Sequence, residues 1–108
     1  AAGALVAACA PKSAVEKVDA ADIPVGGGVV IGNYVVTQPE EGKFAAFSSS
    51  CPHQNGRITE VSNGVMICPN HNSHFDIATG QVVSGPSRKP AGQAPLSADG
   101  TELIVGQK

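Results

Sequence analysis

Asn63-Gly64, set between Arg57-Ile58-Thr59-Glu60-Val61 and Val65-Met66-Ile67, is the feature that most limits what this chain can fold into. An Asn-Gly pair between two runs rich in β-branched residues is the strongest short-range hairpin signal a sequence carries. A hairpin there returns the chain beside its own start and makes its two flanks neighbours. The flanks are Cys51-Pro52-His53 and Cys68-Pro69-Asn70-His71, separated by the fourteen residues from Gln54 to Ile67. Each flank can then give one Cys and one His to a shared point at one end of a sheet.

Two Cys and two His in two tight pairs make a closed set of metal ligands. Scatter is a poor account of them, because Cys9 and His74 are the only Cys and His outside the pairs. The order Cys-x-His, Cys-x-x-His is unusual for zinc, whose common sites pair Cys with Cys and His with His. It suits an iron–sulfur centre with two thiolates on one iron and two imidazoles on the other. Zinc stays chemically acceptable to such a set. Pro52 and Pro69 stiffen the ligand loops under either metal.

The rest of the chain reads as short strands. Val29–Ile31 and Tyr34–Gln38 flank Gly32-Asn33, and Pro39-Glu40-Glu41-Gly42 turns into Lys43–Phe47. Phe75–Ile77 and Gln81–Val83 flank Ala78-Thr79-Gly80, and Ala94–Ala98 pairs with Glu102–Val105 around Asp99-Gly100. Thirteen Gly, eight Pro and only 15% charged residues fit turn-rich β structure better than a helical bundle. At 108 residues there is room for one core and no second domain of similar size. Gly26-Gly27-Gly28 is a backbone turn or bulge, since the residues after it read as strand and a phosphate loop needs a helix there. A net charge of −2 without a basic cluster gives nucleic-acid binding no support.

Cys51-Pro52-His53-Gln54-Asn55-Gly56, then Cys68-Pro69-Asn70-His71-Asn72-Ser73-His74-Phe75-Asp76, then Thr79-Gly80 and Gly85-Pro86 resemble the Rieske [2Fe-2S] family from about Asp22 to Val105. The resemblance implies an all-β fold, an antiparallel β-sandwich with a cluster-binding loop subdomain, and a [2Fe-2S] cluster as cofactor. It implies that Cys51 and Cys68 hold one iron and that His53 and His71 hold the other. Ser73 would donate its hydroxyl to a bridging sulfide. Gly85–Pro90, with Pro86, would be the proline loop that covers the cluster from a third side.

Departures from the family's respiratory branch are equally informative. The second Cys of each box, which there form a disulfide, are Gly56 and Asn70 here. A Tyr that donates to a ligand sulfur is replaced by Phe75, and a hydrophobic residue of the quinol-docking tip by Gln54. Hydrogen bonds to sulfur raise the potential, so losing one hydroxyl and the disulfide should lower it, and quinol oxidation loses support.

Residues 1–10 carry no charge, and Val6-Ala7-Ala8-Cys9 resembles a bacterial lipobox, in which Cys9 would be lipidated. The expected organisation is therefore residues 1–21 as signal-peptide remnant and polar tether, followed by a cluster domain over 22–108. No stretch approaches the ~20 apolar residues needed to span a bilayer. The alternative is a small-residue segment with an accidental Cys.

Three functions remain open: a lipid-anchored electron carrier of the cell envelope, outside the cytoplasm, passing electrons between a donor and an acceptor protein in a membrane-anchored complex; a cytoplasmic ferredoxin feeding an oxygenase; and a zinc-bound interaction module. The chain reads more as a carrier, or the Rieske subunit of an oxidoreductase, than as a stand-alone enzyme. With His53 and His71 committed, only His74 is left, too few for a two-His-one-carboxylate iron site. His74 reads as a surface or supporting residue, Asp76 as a turn cap, and Arg57, Arg88 and Lys89 as solvated charge.

Overall fold

The computed structural model describes residues 15–51, 56–70 and 72–106. Among the described residues, ten strands form three antiparallel sheets: β1 (Glu16–Asp19), β2 (Gly27–Ile31), β3 (Tyr34–Glu40), β4 (Lys43–Ser48), β5 (Glu60–Ser62), β6 (Val65–Cys68), β7 (Ser73–Asp76), β8 (Val82–Ser84), β9 (Leu96–Asp99) and β10 (Glu102–Val105). Their orders are β1-β10-β9, β2-β3-β4 and β5-β6-β7-β8. The all-β antiparallel architecture expected from sequence is the one observed.

The β2-β3-β4 sheet is the middle layer, because β3 is buried on both faces. Val36 packs with Ile23, Ala46, Leu103 and Val105 toward the β1-β10-β9 sheet. Its neighbour Val35 points the other way, into a second core with Phe47, Ile58, Met66, Phe75, Ile77 and Ala91. This is the period-two alternation of a strand, with both faces apolar. The buried polar groups of β3 are satisfied. Thr37 Oγ1 donates to the Ile77 carbonyl at 2.7 Å, and Gln38 Nε2 donates to the Ile23 carbonyl while its Oε1 accepts from the Gly42 N–H.

The β5–β6 hairpin turns at Asn63-Gly64, with φ of 52° and 79°. Positive φ at both central residues is what a two-residue I′ turn requires, and it matches the right-handed twist of the flanking strands. Three expectations shift. Pro39 lies inside β3 rather than in the turn; a register shift between Thr37 and Glu40 absorbs the missing N–H. The first arm of the hairpin is shorter than Arg57–Val61, because Arg57 bridges to Ser50 instead. The folded region also begins before residue 22: Glu16–Asp19 is no tether but pairs in register with Glu102–Val105, where half-buried Val18 packs against the first core. Cys9 lies outside the described residues.

Candidate metal centre

The first ligand segment continues β4. Ser50 stands opposite Arg57 in an antiparallel bridge, the Ile58 N–H donates to the Ser49 carbonyl at 2.7 Å, and the Cys51 N–H donates to the Gly56 carbonyl at 2.9 Å. Ser49, Cys51 and Ile58 are buried while Ser50 and Arg57 are exposed, so alternation turns the first three to one face. The second segment is the β6–β7 connection, where Cys68 closes on Ser73.

Gly56 is where the two segments meet. A Cβ placed on it would lie 2.6 Å from Cys68 Sγ, 3.2 Å from Asn70 Cβ and 3.4 Å from Cys51 Cβ. Only a residue without a side chain leaves the Cys68 sulfur that space. Cys51 and Cys68 are 3% and 1% exposed, and among the described residues neither is in a disulfide. Gly56 and Asn70 adjoin as a bridging pair would, but neither can supply a thiol. Two buried thiols converging on one gap are a soft donor pair suited to iron–sulfur chemistry, so the residues present fit the expected cluster. His53 and His71 lie outside the described residues, as does Gln54.

The surroundings of the two cysteines follow from β7 and the loop after β8. Ser73 and Phe75 are buried on one face of β7, with His74 and Asp76 on the other, so His74 turns away from Ser73. Phe75 sits opposite Met66 in the second core. The Ser73 Oγ accepts the Ser87 N–H at 3.2 Å, which leaves its own hydroxyl proton to donate elsewhere. Ser87 in turn donates its hydroxyl to the Lys89 carbonyl at 2.8 Å and accepts the Lys89 N–H. Gly85, at φ 94°, lets this loop close on the second box: a Cβ there would come within 2.5 Å of the Asn72 carbonyl oxygen and Ser73 Cα. Pro86 is exposed on the same loop. Asp76 caps its turn, its Oδ2 accepting from the Ala78 and Thr79 N–H groups and the Thr79 hydroxyl.

Three residues carry more than their sequence signal. Arg57 is exposed yet bound, its Nη2 donating to the Gly32 carbonyl at 2.7 Å, which ties the β2–β3 turn to the first ligand segment. Ser87 orients Ser73, a link across fourteen residues that no local pattern announces. Ser49, 1% exposed, is the third: among the described residues its Oγ has no hydrogen-bond partner. Leaving such a group unpaired costs about 1–3 kcal/mol. Its signal was available, since it stands two residues before Cys51 and must share that residue's face.

A family model described as the Rieske [2Fe-2S] domain matches residues 8–98. The ferredoxin component of the alkene monooxygenase system of Xanthobacter autotrophicus is 32% identical over 75 residues, or 67% of this chain and 61% of that protein. The chain thus spans less than two thirds of that relative's length. The ferredoxin of carbazole 1,9a-dioxygenase from Nocardioides aromaticivorans IC177 is structurally similar with a TM-score of 0.64 and 21% identity, over 84% of this chain and 94% of that one. The cyanobacterial plasma membrane Rieske protein PetC3 from Synechocystis PCC 6803 gives 0.59 and 22%, over 73% and 82%. At these identities the structural likeness speaks for the fold alone.

Proposed function

The chain belongs to the Rieske [2Fe-2S] domain family, and on that premise we propose that it is a one-electron carrier in which Cys51 and Cys68 hold one iron and His53 and His71 the other. The observation that supports this most is the Gly56 gap, on which Cys68 Sγ and the Cys51 side chain converge from two separate segments. When bound, the cluster exchanges a single electron between ferric and ferrous iron. The protein's own share is to hold the ligand segments on paired strands, to bury both sulfurs, and to aim the Ser73 hydroxyl with the Ser87 N–H. Gly85–Pro90 reaches the second box through Gly85 and Ser87, and Phe75 offers no hydroxyl to sulfur.

The partner we propose is a redox protein of an oxygenase system, as the relative's role as a monooxygenase ferredoxin component suggests. The test of ligation is pulsed EPR on the dithionite-reduced protein. Nitrogen hyperfine coupling should be present and should disappear with the intact cluster in His53→Ala and His71→Ala. Cys68→Ala should lose iron and sulfide together. Reduced protein without nitrogen coupling, or zinc in place of iron, would overturn the assignment.

Val6-Ala7-Ala8-Cys9 favours a second reading of location, a lipid anchor at an extracytoplasmic membrane surface. Labelling with an alkynyl fatty acid should mark the wild type and spare Cys9→Ser. An unlabelled wild type in the cytoplasmic fraction would leave the ferredoxin reading alone.

A further inference from the structure

Ser49 belongs to the first ligand segment, as Ser73 belongs to the second. The bridge between Ser50 and Arg57, with the Ile58 N–H on the Ser49 carbonyl, sets Ser49 across from Ile58 and Cys51 across from Gly56. Ser49, Cys51 and Ile58 share a face, and Ile58 is fully buried there beside Phe47, Met66 and both cysteines. Among the described residues of that core, Cys51, Cys68 and Met66 offer sulfur as a side-chain acceptor. Alternate residues of an extended segment stand ~6.6 Å apart, so an Oγ and an Sγ leaning toward each other across that interval come within hydrogen-bond reach.

We propose that the Ser49 hydroxyl donates a hydrogen bond to Cys51 Sγ in the cluster-bound protein and raises its reduction potential. Ser49 Oγ has no acceptor among the described residues, and burial denies it bulk water. A thiol is a weak acceptor. A thiolate ligand carries charge, and hydrogen bonds to charged acceptors are roughly twice as strong as neutral ones. Donation to a ligand sulfur stabilises the more electron-rich reduced state. Ser73 cannot substitute for it, because Ser73 comes from the second box and is oriented by Ser87.

The inference rests on Cys51 being an iron ligand, which the iron and sulfide content of the wild type checks separately. The experiment compares Ser49→Ala, Ser49→Thr and Ser49→Val by protein-film voltammetry and resonance Raman. Ala and Val should disfavour reduction by at least tenfold, ~59 mV lower for a one-electron couple, and should shift the iron–thiolate stretches. Thr, which keeps the hydroxyl, should stay near wild type. Loss of the cluster from Ala and Val but not Thr would also support the donor, since Thr and Val differ in the hydroxyl and hardly in shape. A fully loaded Ser49→Ala at the wild-type potential would refute it. So would equal shifts in Thr and Val, or loss of the cluster from all three, because those results report volume and not hydrogen bonding.

Discussion

Replacing Gly56 with Ala should separate cluster assembly from folding. The new Cβ would start 2.6 Å from Cys68 Sγ, where non-bonded heavy atoms prefer ~3.5–4.0 Å. About 1 Å must be recovered, and the approaches to Asn70 Cβ at 3.2 Å and Cys51 Cβ at 3.4 Å close the other ways out. A packed core absorbs one extra carbon for ~1–3 kcal/mol, against a typical domain stability of ~5–15 kcal/mol. Metal–ligand distances tolerate only about ±0.2 Å, so a sulfur pushed aside by about five times that no longer fits an iron. The fold should therefore survive and the cluster should not. Iron and acid-labile sulfide per chain after anaerobic reconstitution should fall to a small fraction of wild type, while the melting temperature of the metal-free protein moves by a few degrees. Gly100→Ala is the control: it suffers positive φ at +67° but has nothing within 4 Å of the new Cβ, so it should cost stability and leave cluster content alone. A Gly56→Ala protein with full iron, full sulfide and the wild-type visible spectrum would show that Gly56 does not shape the site.

Ser73→Ala should lower the midpoint potential and Phe75→Tyr should raise it, by removing and adding a hydroxyl donor; voltammetry with no change in either would place both side chains away from sulfur. Gly85→Ala should lift the loop from the second box, because the new Cβ meets backbone at 2.5 Å and the residue sits at φ 94°. Faster hydrogen exchange at the Ser87 amide, with a lowered potential, is its signature, and unchanged protection would count against the packing described. Met66→Ala should destabilise by ~2–5 kcal/mol through the cavity it leaves in the second core, read from chemical denaturation of the metal-free protein.

What the sequence disclosed is local or compositional. Asn63-Gly64 gives its turn away because both positive φ values belong to adjacent residues, and the two boxes give the ligand segments away because spacing and residue type occur together. Asp76 was legible for the same reason, its partners lying two and three residues ahead. Residues whose partners are distant stayed hidden. Glu16–Asp19 looks like a polar linker until Glu102–Val105 pairs with it; the partner reads as a strand by itself, but Glu16–Asp19 is not apolar enough to do so. Arg57 looks like solvated charge because its acceptor, the Gly32 carbonyl, is 25 residues back. Pro39 reads as a turn by propensity, and its place in β3 depends on a shifted pairing with β4 that composition does not encode.

The β2–β3 turn explains how so short a segment as Ser49–Cys51 is held in place. Asn33 accepts the Ser49 N–H through its carbonyl at 2.9 Å, and Gly32 accepts Arg57 from the paired strand at 2.7 Å. One turn thus grips both sides of the ligand-bearing pair. That turn is itself positioned by β3, whose register is set twice, by Val35 in the core that contains the cysteines and by Val36 in the other. A slip of one residue would exchange the two faces and cost both cores at once. Thr37 adds a cross-tie to the Ile77 carbonyl, the residue that follows β7. Sites built on strands hold their geometry better than sites built on loops. Cys51 and Cys68 gain from this directly, because each closes a stretch of strand pairing rather than sitting in the middle of a loop. A carrier of the kind proposed, with Cys51 and Cys68 as ligands, benefits from that placement, and the rigidity of the two segments then rests on β3 and its turn.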